Sequence, residues 1–436
     1  MKTYRFKRGG LAFEDRTAPD GCSSSIAYLP AISVLPLIQH AGPAARRLVD
    51  VGDRVSEGML VGRGDGHGSA NVHATVPGRV IRLAHWRMAD GRVSEALVIR
   101  MEGSFARLGR PKETFAWEGM SPADLQRLIG ERGVVVMEGA GRPLADLIGE
   151  LRRDEKARTI VVQAVGDDPW SAADRAVLHE RAAAVAEGMA ILARAMSPAA
   201  CVVAYAQAQR RGVDALVGAA ESFKLKPALA PLAARYPQHQ KRLLGETLKP
   251  FARDRGLDLG RLLPFSPSTL AAVYDAVRLN SPLIERCLAL GGDAVKHKQV
   301  LRARLGTRIG DIIAECGGFV AEPQRLVVGS PLTGWTVADL DTPVTKTTTA
   351  VVALSREAIG GSTPRPCMGC GDCRGVCPVG LDPERLYKLI LAGRPAEADA
   401  DGAGQCIACA CCAAVCPSRL PLRAAIGLRA DRGAKA

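Results

Sequence analysis

Apolar and polar positions alternate along residues 31–104, and Gly-Asp pairs interrupt them at short intervals, as in Val49-Asp50-Val51-Gly52-Asp53-Arg54-Val55-Ser56-Glu57-Gly58-Met59-Leu60-Val61-Gly62. A period of two marks strands with one buried face, and the Gly-Asp turns fold such strands into hairpins. Val72-His73-Ala74-Thr75-Val76-Pro77-Gly78-Arg79-Val80 continues the pattern. The rhythm changes from about residue 120. Ser121 caps a helix that has Pro122 at its first position. Residues 133–138 form a short apolar strand that enters the turn Gly139-Ala140-Gly141 and then a helix. A second strand is expected at 160–165, and one long amphipathic helix from about 171 to 196, so residues 120–260 read as α/β. Residues 265–358 carry a helix at 268–279, a strand and turn at 286–293, a turn and short helix at 304–318, and buried strands at 326–329 and 351–354. That is a small α+β unit of β-grasp type. A helix at 381–393 has Asp382 as its cap, Pro383 at its first position and Gly393 at its end. An acidic, small-residue linker at 396–404 follows it.

Nine of the thirteen cysteines lie between 367 and 416, and eight of them write one pattern twice. Cys367-Met368-Gly369-Cys370-Gly371-Asp372-Cys373-Arg374-Gly375-Val376-Cys377-Pro378 and Cys406-Ile407-Ala408-Cys409-Ala410-Cys411-Cys412-Ala413-Ala414-Val415-Cys416-Pro417 both read C-x2-C-x2-C-x3-C-P. This is the ferredoxin spacing for [4Fe-4S] clusters. Three closely spaced thiolates wrap one cuboid, while the fourth points away to the neighbouring cluster. Cys367, Cys370, Cys373 and Cys416 are therefore assigned to one cluster, and Cys406, Cys409, Cys412 and Cys377 to the other. The competing reading is a pair of zinc sites, which use C-x2-C pairs separated by a spacer. Cys411 is out of phase and is expected to be a packing residue. Cys22, Cys201, Cys287 and Cys316 are expected to be small buried hydrophobes. Residues 361–425 form a helical dicluster module, a relay that requires no general acid, base or nucleophile.

Composition narrows the setting. The net charge of +13 favours acidic lipid headgroups or an acidic electron carrier such as ferredoxin or flavodoxin. Nucleic acid is excluded as a partner, since no basic block alternates with aromatics. The first ten residues are basic without an apolar segment, so they are not expected to be a signal peptide. No run of about 18 apolar residues is present to span a bilayer. A reducing cytoplasm suits thirteen cysteines as thiolates rather than as a disulfide framework.

The Gly-Asp-x-Val-x-x-Gly and Pro-Gly-x-Val phrases resemble a barrel-sandwich (biotinyl/lipoyl-like) domain, without the lysine that would make a swinging arm. His40, His67 and His73 in that region are expected to be exposed or capping residues rather than metal ligands. Taken together, Gly9-Gly10, Leu35-Pro36-Leu37-Ile38-Gln39-His40-Ala41-Gly42-Pro43-Ala44, Tyr236-Pro237-Gln238, Val273-Tyr274-Asp275-Ala276-Val277, Gly329-Ser330-Pro331-Leu332-Thr333-Gly334, Pro343-Val344-Thr345-Lys346-Thr347 and the paired cysteine runs resemble the C subunit of the Rnf-type ion-translocating oxidoreductase complex. The resemblance implies a multidomain α/β and α+β chain. An N-terminal arm (1–30) precedes a barrel-sandwich hybrid (31–110), an α/β domain like the flavin- and NADH-binding subunit of complex I (120–260), a β-grasp or SLBB-like domain (265–358) and a C-terminal dicluster ferredoxin module (361–425). It also implies a peripheral place on the cytoplasmic face of the inner membrane, beside the other subunits of the complex.

The chain departs from the family at the flavin site. Glu138-Gly139-Ala140-Gly141-Arg142-Pro143-Leu144 replaces a richer Gly-Gly-Ala-x-Phe-Pro-Thr turn, and Gly166-Asp167-Asp168-Pro169-Trp170 stands at the acidic loop. Carboxylates beside a phosphate-binding turn repel the phosphate, so FMN and NADH are left open, with weak or absent binding expected. Two rival functions remain: a docking subunit with a vestigial α/β part, and a soluble corrinoid-type reductase, against which the domain order argues.

Overall fold

The computed structural model describes residues 2–12, 15–105, 113–154, 156–360 and 363–433, with side chains described as far as 427. The boundaries expected at 110 and 361 fall outside these residues. Residues 32–101 make two small antiparallel sheets. One has the order Ile32–Pro36, Val93–Met101, Gly78–Arg87, Arg54–Val55, and the other Arg46–Arg47, Leu60–Arg63, Val72–His73. The alternation becomes burial: Val49, Val55, Val61 and Val80 are buried, while Asp50, Asp53 and Arg54 face water. Val51 breaks the rule and is exposed, because it sits in the Gly52 turn.

A parallel sheet follows, with the order Ala228–Pro231, Ala200–Tyr205, Arg158–Ala164, Arg261–Phe265. Both of its faces are covered. Ile160, Val162 and Val203 pack toward the helix Ala182–Met196, and Val161, Val202 and Ala204 toward Leu244, Leu248 and Phe251 of the helix Lys241–Arg255. Strands buried on two sides read as unbroken apolar runs, which is how the strand expected at 160–165 was visible; the strands Ala200–Tyr205, Ala228–Pro231 and Arg261–Phe265 were not anticipated.

A mixed six-stranded sheet has the order Ser24–Ile26, Gln299–Arg304, Glu285–Gly291, Ala350–Leu354, Arg325–Val328, Trp335–Val337. Its first strand comes from the N-terminal segment and pairs in parallel with Gln299–Arg304. Among the described residues no helix is long and apolar enough to cross a membrane.

Several expectations need correction. The long helix at 171–196 is two helices, Ala172–Glu180 and Ala182–Met196, broken at Arg181. The Arg181 guanidinium bonds both carboxylate oxygens of Asp275, at 2.7 and 3.0 Å, and a half-buried bidentate pair of that quality outweighs helix continuity. The strand expected at 133–138 is reduced to one bridge between Val135 and Pro143, because the chain folds back on itself rather than joining a sheet. The linker at 396–404 contains the helix Pro395–Ala400, with Ala398 and Ala403 buried. Cys22 is exposed and Cys201 half-buried, so only Cys287 and Cys316 are buried thiols of the expected kind. His40 and His73 are buried, and burial pulls their imidazoles down to about 4 and about 3. Only His67 is exposed.

Lys346 lies inside the junction between the segments that carry Asn71 and Gly133. It is 1% exposed, and its Nζ donates to the carbonyls of Asn71 at 2.6 Å and Gly133 at 2.7 Å. Burial holds its pKa down at about 7, against an ordinary 10.5. Between those values the unfolded chain binds a proton that the folded chain does not, so this residue's contribution to stability rises with pH across that window. At pH 9, Lys346→Met is expected to lose about 1–3 kcal/mol in denaturant unfolding, since two buried carbonyls lose their donor. The variant should also show a shallower rise of stability between pH 7 and 10. Wild-type stability at pH 9 in the variant would refute this account of the junction.

Candidate functional site

A cavity of about 860 Å³ opens at the carboxyl ends of the strands Arg158–Ala164 and Arg261–Phe265, where they face the six-stranded sheet. Carboxyl ends of parallel strands are where such sheets bind ligands, because the loops that follow diverge there. The volume suits a cofactor-sized molecule. Gly139 and Ala140 lie in the wall, and both are exposed.

Three carboxylates of this cavity looked in the sequence like an obstacle to phosphate. The structure engages each of them locally. Glu138 turns to the start of the helix Pro267–Val277, where it accepts from the Ser266 backbone N–H and, at 3.0 Å, from Thr269 Oγ1. Burial, with Asp174 adding to it, raises its pKa above the usual carboxylate range. Asp168 accepts from the Trp170 N–H at 3.0 Å and caps the turn that follows. Asp167 Oδ2 meets His239 Nδ1 at 2.9 Å and the His239 backbone N–H at 3.2 Å. Arg142, which follows the glycine turn, pairs with Glu150 rather than with any of the three. Three polar atoms of lining residues remain without hydrogen-bond partners among the described residues: Gln39 Oε1, Gln209 Oε1 and Arg286 Nε, in residues 2%, 5% and 4% exposed. Buried polar atoms left unpaired are unusual in native folds, and a polar ligand in the cavity would satisfy them.

The eight run cysteines divide into two groups. Cys377, Cys406, Cys409 and Cys412, from both runs, line one small apolar cleft. They are close enough that Cys409, Cys406 and Cys377, after burial itself, each push the Cys412 thiol up. Of the other group, Cys367 and Cys370 are exposed, Cys373 is buried and Cys416 half-buried. The Arg365 N–H bonds Ser418 O at 2.9 Å and Ser418 Oγ bonds Pro366 O at 2.8 Å, so the start of the first run lies beside the end of the second. Backbone N–H groups of Leu381, Ala408 and Leu420 donate to the sulfurs of Cys377, Cys406 and Cys416 at 3.3–3.4 Å. Among the described residues no three His, Cys, Asp or Glu side chains converge as the ligands of one ion do. A cuboid cluster spaces its thiolates farther apart, because each binds a different iron. Cys411 is fully buried against Tyr236 and also lines this cleft.

The cavity and the cleft share a wall. Tyr236, fully buried, donates from Oη to Cys409 O at 2.8 Å, and its ring lies 5.5 Å from that of His239. Arg423 bonds Ala408 O at 3.0 Å on one side and Thr333 O, at the cavity rim, at 3.1 Å on the other. Tyr236 was visible in the sequence only as part of a short family phrase, and His239, Arg286 and Gln209 carried no signal. Tyr236 and His239 are ordinary residue types whose roles come from neighbours more than 70 residues away.

Two family models match parts of the chain before the cysteine runs. The profile of the RnfC barrel sandwich hybrid domain matches residues 5–104, and that of the Nuo51 FMN-binding domain residues 129–257. The C subunit of the ion-translocating oxidoreductase complex of Rhodobacter capsulatus is 32% identical over 394 residues, which cover 88% of this chain and 75% of that protein. The chain belongs to this C-subunit family. Other members include the C subunit of the proton-translocating ferredoxin:NAD(+) oxidoreductase complex of Clostridium ljungdahlii, 27% identical over 84% of this chain and 79% of its own length. The C subunit of the Na(+)-translocating ferredoxin:NAD(+) oxidoreductase complex of Acetobacterium woodii is 27% identical over 81% of this chain and 80% of its own. Two relatives at equal identity serve complexes named for different ions, so membership in the family does not by itself name the ion. The FMN-binding profile supports a flavin where the sequence departures argued against one.

The two runs differ in how they make the same turns. Gly369, Gly371 and Gly380 have positive φ in the first, while Ala408, Ala410 and Arg419 occupy the equivalent places in the second, at φ +51°, +65° and +53°. A left-handed residue with a Cβ costs about 1–2 kcal/mol. Ala408→Gly is therefore expected to stabilise the second run by about 0.5–1 kcal/mol after the entropy of glycine is counted. Amide exchange at residues 411–417 should slow by about two- to fivefold. Faster exchange would show that the turn is not strained.

Proposed function

We propose that this chain relays electrons in a membrane-associated, ion-translocating oxidoreductase complex, using two [4Fe-4S] clusters and a flavin in the cavity. Cys367, Cys370, Cys373 and Cys416 hold one cluster; Cys406, Cys409, Cys412 and Cys377 hold the other. The observation that carries this reading is the shared wall: Tyr236 bonds the backbone of Cys409 and packs on His239, which is fixed to Asp167 in the cavity lining. A flavin exchanges electron pairs with a nicotinamide, and clusters pass electrons singly.

The protein's own part is to hold and to shield. Arg286 Nε and Gln209 Oε1 offer a donor and an acceptor to the cavity's ligand. The cleft around Cys377, Cys406, Cys409 and Cys412 is walled by Leu386, Leu422 and Ile426, which keeps water from the sulfurs. Burial of this kind and N–H···S bonds are the terms that set a cluster's potential. In this reading residues 361–425 are a dicluster ferredoxin module, 265–358 a β-grasp domain, and 1–30, 31–110 and 120–260 the arm, barrel sandwich and flavin-binding α/β domain. NADH and a ferredoxin are the redox partners suggested by the relatives' names. The chain sits peripherally on the cytoplasmic face of the membrane, against the other subunits. One observation favours the rival docking-only reading: Arg142 is committed to Glu150 and leaves the glycine turn without its cation.

Anaerobic reconstitution should give roughly eight iron and eight sulfide per chain. Cys370→Ala should remove about half of each, and Cys411→Ala should keep both clusters. Stoichiometric zinc with little iron, or cluster loss in Cys411→Ala with retention in Cys412→Ala, would overturn the assignment.

Flavin binding is tested separately. The isolated chain, incubated with FMN and desalted, should retain about one flavin, given the cavity's size. Anaerobic NADH should bleach that flavin and reduce the clusters. Arg286→Met should weaken flavin retention by about tenfold, through loss of one charged hydrogen bond. A chain that keeps its iron but binds no flavin would leave the docking-only reading standing.

A further inference from the structure

The short segment from Tyr4 to Leu11 ties the redox elements together. At one end it lies along the edge strand of the parallel sheet, with the Tyr4 N–H bonding Pro231 O and the Ala233 N–H bonding Tyr4 O, both at 2.9 Å. At the other end Leu11 and Tyr236 exchange backbone bonds at 2.8 and 2.7 Å. Between these, the Gly10 N–H donates to Val376 O at 2.8 Å. Gly9 has φ +62°, and a Cβ there would stand 2.5 Å from the Cys377 carbonyl carbon and 2.6 Å from Val376 O. The backbone of the segment therefore lies directly on the backbone of a run cysteine, a contact that only glycine permits. Tyr236, held by Leu11, reaches the second run through its bond to Cys409 O. Leu11, Tyr236, Val376, Ile407 and the Cys409 and Cys411 side chains close into one apolar cluster around these bonds.

The two cysteines gripped in this way, Cys377 and Cys409, come from different runs but line the same cleft. Among the described residues the other group has no such grip, and its Cys367 and Cys370 open to solvent beside exposed Met368. We infer that Gly9, Gly10 and Tyr236 form a clamp that seats the Cys377/Cys406/Cys409/Cys412 centre against the cavity wall and fixes its distance from the cavity's occupant. This rests on the relay reading for its consequence, electron transfer, but the clamp itself is a property of the backbone. These are positioning residues. They donate nothing to sulfur or iron, no bond to them is made or broken, and single electrons pass between the cavity and the centre they hold.

The test uses the full chain loaded with iron, sulfide and FMN. Three variants are compared: Tyr236→Phe, Gly9→Ala, and Gly393→Ala as a control with similar positive φ (+69°) and open space around it. All three should keep wild-type iron, sulfide and flavin, and wild-type EPR after dithionite reduction. Amide exchange at 376–380 and 408–412 should rise in Tyr236→Phe and Gly9→Ala but not in Gly393→Ala. Cluster reduction by NADH, followed by stopped flow, should slow by about tenfold or more in Gly9→Ala, since small displacements at a reacting geometry are costly, and by less in Tyr236→Phe. Unchanged exchange in both clamp variants overturns the clamp. Iron loss in Tyr236→Phe also overturns it, because the role would then be cluster assembly. If the wild type itself retains no flavin, the flavin reading fails and the exchange measurement alone decides the clamp. Raised exchange with an unchanged NADH rate overturns the claim that the clamp sets the transfer distance.

Discussion

The arrangement of cavity and cysteines depends on one antiparallel bridge, between Leu11 and Tyr236. It joins a segment near the start of the chain to the loop that follows the parallel sheet's edge strand Ala228–Pro231, and both then touch the cysteine runs. The runs are short of apolar mass of their own; their core is a small cluster around Leu386, Leu389, Leu422 and Ile426. A module of that size gains little from burial alone and relies on backbone bonds to its neighbours for orientation. The bonds of Gly10, Tyr236 and Arg423 supply it, and all three fall on the side that faces the cavity.

The same wall shows how acidic residues coexist with a cavity built for a ligand. Glu138, Asp167 and Asp168 are each held by a nearby N–H, hydroxyl or imidazole. A carboxylate with its lone pairs engaged has less to repel a phosphate with, and Glu138 is further biased toward its neutral form by burial. Behind this wall Arg286 bonds the Lys346 carbonyl while Lys346 bonds Asn71 and Gly133. Two buried basic side chains thus link the cavity to the barrel-sandwich sheets through carbonyl groups rather than through carboxylates. Carbonyl acceptors leave the amine free to stay neutral, and that is why Lys346 can be buried at the cost of a lowered pKa.

Features encoded over a few neighbouring residues were legible along the chain. The repeated C-x2-C-x2-C-x3-C-P spacing, the caps Ser121-Pro122 and Asp382-Pro383, and the apolar run at 160–165 all depend on local geometry, and the caps and that strand stand where the pattern puts them. Other features came from contacts between distant segments. Arg181 broke a helix that its neighbours would have continued, because Asp275 was in reach. His40 and His73 were buried by sheets built from other segments, and Ser24–Ile26 became a strand only because Gln299–Arg304 presented an open edge. Glu138 read as a repulsive charge until the Ser266 and Thr269 donors, about 130 residues away, absorbed it. The meeting of Gly9 with Cys377, and of Tyr236 with Cys409, has no local signature at all. Spacing along the chain specifies which side chains can share a ligand, whereas the distance between two sites depends on how whole layers pack, and packing sums over contacts that no short stretch of sequence contains.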